Sequence, residues 1–119
     1  MLNQVVLVGR LTQDPSLESG STQKTKMVVN VAVSRPFKNS DGIYETDFIR
    51  CILWNGIASN TAKYCHKGDI VGLKGRLQTT VFEDSNQDRK YITEVIVERI
   101  SYISTLRKSE EQLVEIEAE

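Results

Sequence analysis

Side chains able to do covalent or acid–base chemistry are sparse in this 119-residue sequence. The single histidine, His66, stands beside Lys67 at the end of a helically spaced segment. A cation there complements the helix dipole, a simpler role than proton transfer. Asp84 and Asp88 bracket a turn-rich run, EDSNQDRK, where short carboxylates shape turns. A metal-dependent nuclease would have to be built on that pair. Asp41, Glu45 and Asp47 read as solvated loop groups. Cys51 alternates with Ile49 and Leu53 and belongs in a core as an inert thiol. Cys51, Cys65 and His66 fall short of a zinc ligand set, and no secretory context invites a disulfide. The glycine of VGRL lies inside a strand and opens no phosphate-binding helix. The expectation is a protein without catalysis, cofactor or metal.

Rings and cations are better supplied. Of eight aromatic residues, four stand in basic surroundings: Phe37 in SRPFK, Phe48 and Trp54 around Arg50 in TDFIRCILW, and Phe82 after KGRLQTTV. Strand alternation makes the second of these stretches two-faced. Ile49, Cys51 and Leu53 form a core face, leaving Phe48, Arg50, Ile52 and Trp54 on the other. Ile52 is the odd member there, with no role beyond packing between the two rings. In the fourth strand Val71, Leu73 and Leu77 oppose Lys74, Arg76 and Gln78. An unpaired arginine is costly to bury, so the ring-and-cation side should be exposed. Such a patch is a ligand-binding surface or an oligomer interface. Rings of this kind stack on nucleic-acid bases without reading sequence, at roughly 1–3 kcal/mol per base, while cations track phosphates.

The elements that must position these residues follow from the pattern. Val5 to Leu11 reads as a first strand buried on both faces, with Gly9 at a bend or close backbone approach. Residues 16–25 are loop, Met27 to Ser34 a second strand, and 35–45 a loop or projecting hairpin. After the third strand the period turns helical at Ile57, Thr61, Tyr64 and Cys65, with Asn55 as N-cap and Lys67-Gly68 as stop. Tyr64 is expected to pack on the core. Ile70 to Gln78 is strand four, 83–90 a polar hairpin tip, and Tyr91 to Tyr102 strand five. The order β-β-β-α-β-β predicts a mostly β, five-stranded OB-fold barrel with one helix between the third and fourth strands. A mixed α+β sheet is the competitor.

Length allows one domain, expected at residues 1–106, followed by a charged, disordered tail at 107–119. Composition is 39% hydrophobic and 26% charged, ordinary for a soluble globular protein. Neither a membrane-spanning run nor a signal peptide is visible, so the expected location is cytoplasmic. The net charge of −1 hides an asymmetry. Residues 109–119 hold five Glu and no Lys or Arg, whereas the first 108 carry all 15 basic groups against 11 acidic ones, a net of +4. A mildly basic body permits a polyanion partner.

These stretches resemble a known family. NQVVLVGRLTQDPSLE is similar to the first strand and turn of the bacterial single-stranded DNA-binding proteins. TDFIRCILWNGIASNTAKYCHKGDIVGLKGRLQT is similar to their third strand, helix and fourth strand, and TEVIVE to their fifth. The resemblance runs from about Asn3 to Ser104, and the combination of VGRLTQDP with YCHKGDIVGLKGRLQT makes it specific. It implies a homotetramer of OB-folds, a dimer of dimers, that binds and protects single-stranded DNA in replication, recombination, repair or DNA uptake. The family's base-stacking aromatics fall on Phe37, Phe48, Trp54 and Phe82, with Phe at three places where Trp is frequent. Phosphate contacts carry over to Arg10, Arg35, Lys38, Arg50, Lys74 and Arg76. Pro36 makes the backbone before Phe37 unusual. Family members continue through a linker to an acidic Pro-Phe tip that recruits replication and repair enzymes. EEQLVEIEAE is acidic but lacks that ending, so recruitment is expected to be lost or to use another surface. Short forms of this kind resemble accessory, phage or plasmid members. The rival reading is a protein-interaction module on the same fold, its aromatic face partly an oligomer contact.

Overall fold

The computed structural model describes residues 1–18 and 25–104; the expected tail lies outside them. The elements are β1 (Val5–Leu11), β2 (Lys26–Lys38), β3 (Tyr44–Trp54), α1 (Asn55–Tyr64), β4 (Ile70–Glu83) and β5 (Arg89–Ser104). The strands close into a barrel in the order β1-β2-β3-β5-β4. Neighbours run antiparallel except β3 and β5, which are parallel. A parallel pair needs a crossover, and here α1 and β4 supply it. This is the expected five-stranded barrel with its helix between the third and fourth strands.

Alternation builds the interior. Met27, Val29 and Val31 of β2 point inward, as do Cys51 and Leu53 of β3, Val71 and Leu73 of β4, and Val95 and Val97 of β5. Leu11, Ala58 and Cys65 join the same cluster, and Ile49 packs against it half-buried. Helix α1 lies against β2, β3 and β5 and buries Ala58 and Thr61. Closure brings backbones very near one another. A Cβ on Gly9 would collide with the Ala32 carbonyl, and one on Gly75 with the Ile96 carbonyl. Gly9 therefore marks a close approach, one of the two expected alternatives.

Several expectations are corrected. Strand β1 is buried on one face only: Val5 and Leu7 turn inward, whereas Val6 and Val8 are 69% and 57% exposed. None of the described residues covers that outer side. Leu77 keeps the inward phase opposite Val95 but lies where β4 leaves the barrel, and is exposed. There the Asn3 side-chain amide donates to the Leu77 carbonyl and accepts from its N–H, both at 2.8 Å. Asn55 is not the N-cap. It begins the helix at φ 53°, a left-handed conformation that asparagine tolerates, and Trp54 occupies the cap position without a side-chain bond. The Asn55 N–H instead donates to the Thr25 carbonyl at 2.7 Å, turning the chain sharply out of β3. Tyr64 is exposed, not packed in the core; its ring lies 6.0 Å from that of Tyr102. Thr61 takes the buried place, with its hydroxyl 3.2 Å from the Tyr102 hydroxyl. His66 lies beyond the helix end, its N–H bonded to the Asp69 carboxylate.

Candidate nucleic-acid interface

Two β-ribbons project from the barrel, and one turn design closes both. In the β2–β3 finger the Asn39 side-chain oxygen accepts from the N–H groups of Asp41 and Ile43, and Gly42 follows at φ 76°. In the β4–β5 finger Asp84 accepts in the same way from Asn86 and Asp88, with Gln87 at φ 65°. Asp84 is thus a turn former, as expected. Among the described residues no cluster of His, Cys, Asp or Glu could hold a metal ion.

Register assembles the outward face between the fingers. Lys26 lies opposite Trp54, Val28 opposite Ile52, Asn30 opposite Arg50 and Ala32 opposite Phe48. Across the parallel seam Ile96 adjoins Ile52. Beyond it Arg76, Gln78 and Phe82 pair with Ile96, Glu94 and Lys90. Phe48 is 68% exposed and Phe37 64%; Phe82 is also open, while Trp54 is half-buried under Lys26, whose Nζ lies 5.6 Å from the ring. Ile52 corrects its expected place on an exposed side. It points outward yet is buried, because Val28 and Ile96 flank it on both neighbouring strands. It forms an apolar floor, not a contact surface.

The cations divide by what already holds them. The Arg50 guanidinium bonds Glu94 at 2.6 Å, and Glu94 also accepts from the Thr80 hydroxyl at 3.0 Å. Burial alone would raise the Glu94 carboxyl. The hydrogen bonds from Arg50 and Thr80, with the charges of Arg50 and Lys26, outweigh that and hold it below its ordinary value. Arg35 forks onto Asp47 and also reaches Glu45, so those carboxylates are ion-pair partners and not mere loop solvation. The hydrogen bond from Arg35 keeps the Asp47 carboxyl below its usual range. Arg35 and Pro36 sit in a bulge where the β2–β3 register shifts between Ser34 and Lys38, a place that tolerates a residue without an N–H.

Arg10 donates to the Gly68 carbonyl at 2.9 Å, tying β1 to the loop before β4. Lys38 lies over the Tyr44 ring, and Arg76 donates to Gln78 at 3.0 Å. Lys74 falls elsewhere, beside Val6, Val8, Arg99 and Ile103 on the outer side of β1, β4 and β5. Phe37, Phe48, Trp54, Phe82, Lys38 and Arg76 therefore lie on the fingers and the face between them, and Lys74 does not. Burial pushes the Cys51 thiol up to about 12, in keeping with an inert core residue. Sequence reasoning missed Glu94, Thr80, Lys26 and Tyr44. The alternation of TEVIVE does put Glu94 and Ile96 on one side, but only register reveals which basic residue stands beside them.

Residues 2–103 match the family model described as the single-strand binding protein family. Single-stranded DNA-binding protein B of Bacillus subtilis (strain 168) is 45% identical over 103 residues, 87% of this chain and 91% of that protein. The single-stranded DNA-binding protein of Oceanobacillus iheyensis is 45% identical over 105 residues, 88% of this chain and 65% of that one. That of Lactiplantibacillus plantarum is 42% identical over 110 residues, 92% and 55% respectively. The chain spans under two thirds of the length of these last two relatives. The barrel, its two fingers and a match over nearly all its described length agree: the chain belongs to the single-strand binding protein family.

Proposed function

We propose that this chain binds and protects single-stranded DNA, without catalysis and with little sequence preference. The observation that carries this is the set of rings running from one finger to the other: Phe37, Phe48 and Phe82 are exposed, and Trp54 is half-buried under Lys26. Bases stack on these rings, while Lys38 and Arg76 lie nearest to attend phosphates. Arg35 and Arg50 serve the strand only through charge shared with their carboxylates, and Arg10 and Lys74 stand at the margin. Relatives named as single-stranded DNA-binding proteins support the ligand. The setting we infer is the cytoplasm, at the nucleoid, in replication, recombination, repair or DNA uptake, with residues 1–106 as the binding domain and 107–119 as a charged tail.

A homotetramer fits the same reading, since Val6, Val8 and Ile103 leave an apolar strip on the outer side of β1, β4 and β5. Light scattering of the DNA-free protein measures that state. The binding test is Trp54 emission on titration with poly(dT). Saturable quenching is expected, and an unchanged signal at saturating DNA overturns the stacking role of the only tryptophan.

A further inference from the structure

Strand β3 carries another ring on its outward side. Tyr44 opens the strand, and no extra residue interrupts β3 between it and Phe48; the irregularity at Ser34–Lys38 lies on β2. Even-numbered positions therefore keep one phase, and Tyr44, Phe48 and Trp54 share the outward side. At about 3.3 Å of rise per residue, Tyr44 lies roughly 13 Å beyond Phe48, toward the finger tip. Its ring is 54% exposed, with no core to cover. Lys38, directly opposite in the ladder, holds its ammonium 5.7 Å from the ring centroid. One face of the ring thus has a cation and the rest remains open, an arrangement suited to a base with its phosphate beside it.

We propose that Tyr44 and Lys38 form an additional base-stacking station at the end of the β2–β3 finger, lengthening the path of the single strand past Phe48. The inference rests on the single-stranded DNA reading above. It adds a subsite for one more nucleotide, recognised by its π-face and phosphate and not by base identity.

The test compares the parent chain with Tyr44→Ala and Tyr44→Phe by anisotropy of labelled dT oligomers of graded length. Tyr44→Ala should weaken binding of long oligomers about 5-fold or more, the low end of what a stacked base contributes. Tyr44→Phe should stay within about twofold of the parent, because the ring, not the hydroxyl, does the stacking. Parent-like binding by Tyr44→Ala overturns the station while leaving the ssDNA reading intact. Failure of the parent itself to bind dT overturns both. Photocrosslinking of unaltered protein to 5-iododeoxyuridine oligomers gives an answer independent of the variants' folding. Adduct sequenced to Tyr44 itself supports the station, and adducts confined to Phe37, Phe48, Trp54 or Phe82 overturn it.

Discussion

Arg50 on β3 and Glu94 on β5 face each other at 2.6 Å across the one parallel seam of the barrel, in the middle of the aromatic face. Glu94 is buried and Thr80 of β4 bonds its other oxygen, so the cluster ties three strands together. Arg50, at the centre of this face, is therefore held first of all as a structural ion pair.

Glu94→Ala should destabilise the fold by about 1–2 kcal/mol, the value for hydrogen bonds to a charged group reduced because Arg50 is partly in water. Thermal or urea melts measure it. Because the folded Glu94 carboxyl lies below its ordinary value, its contribution is fully present at pH above that ordinary value. It is lost as pH falls further, through the lower folded value. Glu94→Gln should flatten the decline of stability with pH in that acidic window.

Glu45 and Asp47 hold Arg35, a cation that the resemblance assigns to phosphate contact, in ion pairs. Replacing both, Glu45→Gln with Asp47→Asn, should tighten ssDNA binding and steepen its salt dependence. Freeing one cation adds about 0.7 to the slope of log K against log salt for a single strand. Titrations at several salt concentrations report it, and an unchanged slope would mean Arg35 never reaches the backbone.

Phe48 protrudes into solvent, so its removal leaves the core untouched. Phe48→Ala should lose about 1–3 kcal/mol of ssDNA affinity with little change in melting temperature. Tyr64→Ala, on the helix, should leave affinity near the parent value in the same titration.

Gln87 holds φ 65° at the tip of the β4–β5 finger, a conformation that costs an L-residue roughly 1–2 kcal/mol. Gln87→Gly should raise stability by about 0.5–1 kcal/mol after the extra chain entropy of glycine is subtracted. Gly42→Ala, at the equivalent place in the other finger, should lower it. Paired melts of the two variants check the opposite signs.

Strand alternation made the two faces of β3 legible, and with them the core residues Cys51 and Leu53 and the rings of Phe48 and Trp54. Helix α1 could be read because the period changes after Trp54. What could not be read was decided by neighbours distant in sequence. Ile52 looks exposed until Val28 and Ile96 arrive beside it, and Arg50 looks free until Glu94 does. Arg35 sits only ten residues from Glu45, yet their meeting depends on the bulge that holds Pro36. Val6 and Val8 read as buried because hydrophobicity reports a preference for cover, not whether this chain supplies it. Asn55 had the right residue type for a cap, but the corner out of β3 used its tolerance of positive φ instead.

The seam between β3 and β5 registers Cys51 with Val95 and Ile52 with Ile96, whereas the β4–β5 ladder runs from Ile70 to Glu83. A cylinder opens where its stitching is shortest, and this seam shares that place with β1–β2, which registers only Arg10 with Ala32 and Leu11 with Val31. Ile52, buried on the outside, and Cys51, buried on the inside, act as two rivets through one short join. The latch of Arg50, Glu94 and Thr80 lies over that join, on the same surface that offers the rings. A strand laid across Phe48 and Trp54 would press on the barrel's only parallel closure, so occupancy of the groove and integrity of the cylinder become one mechanical problem.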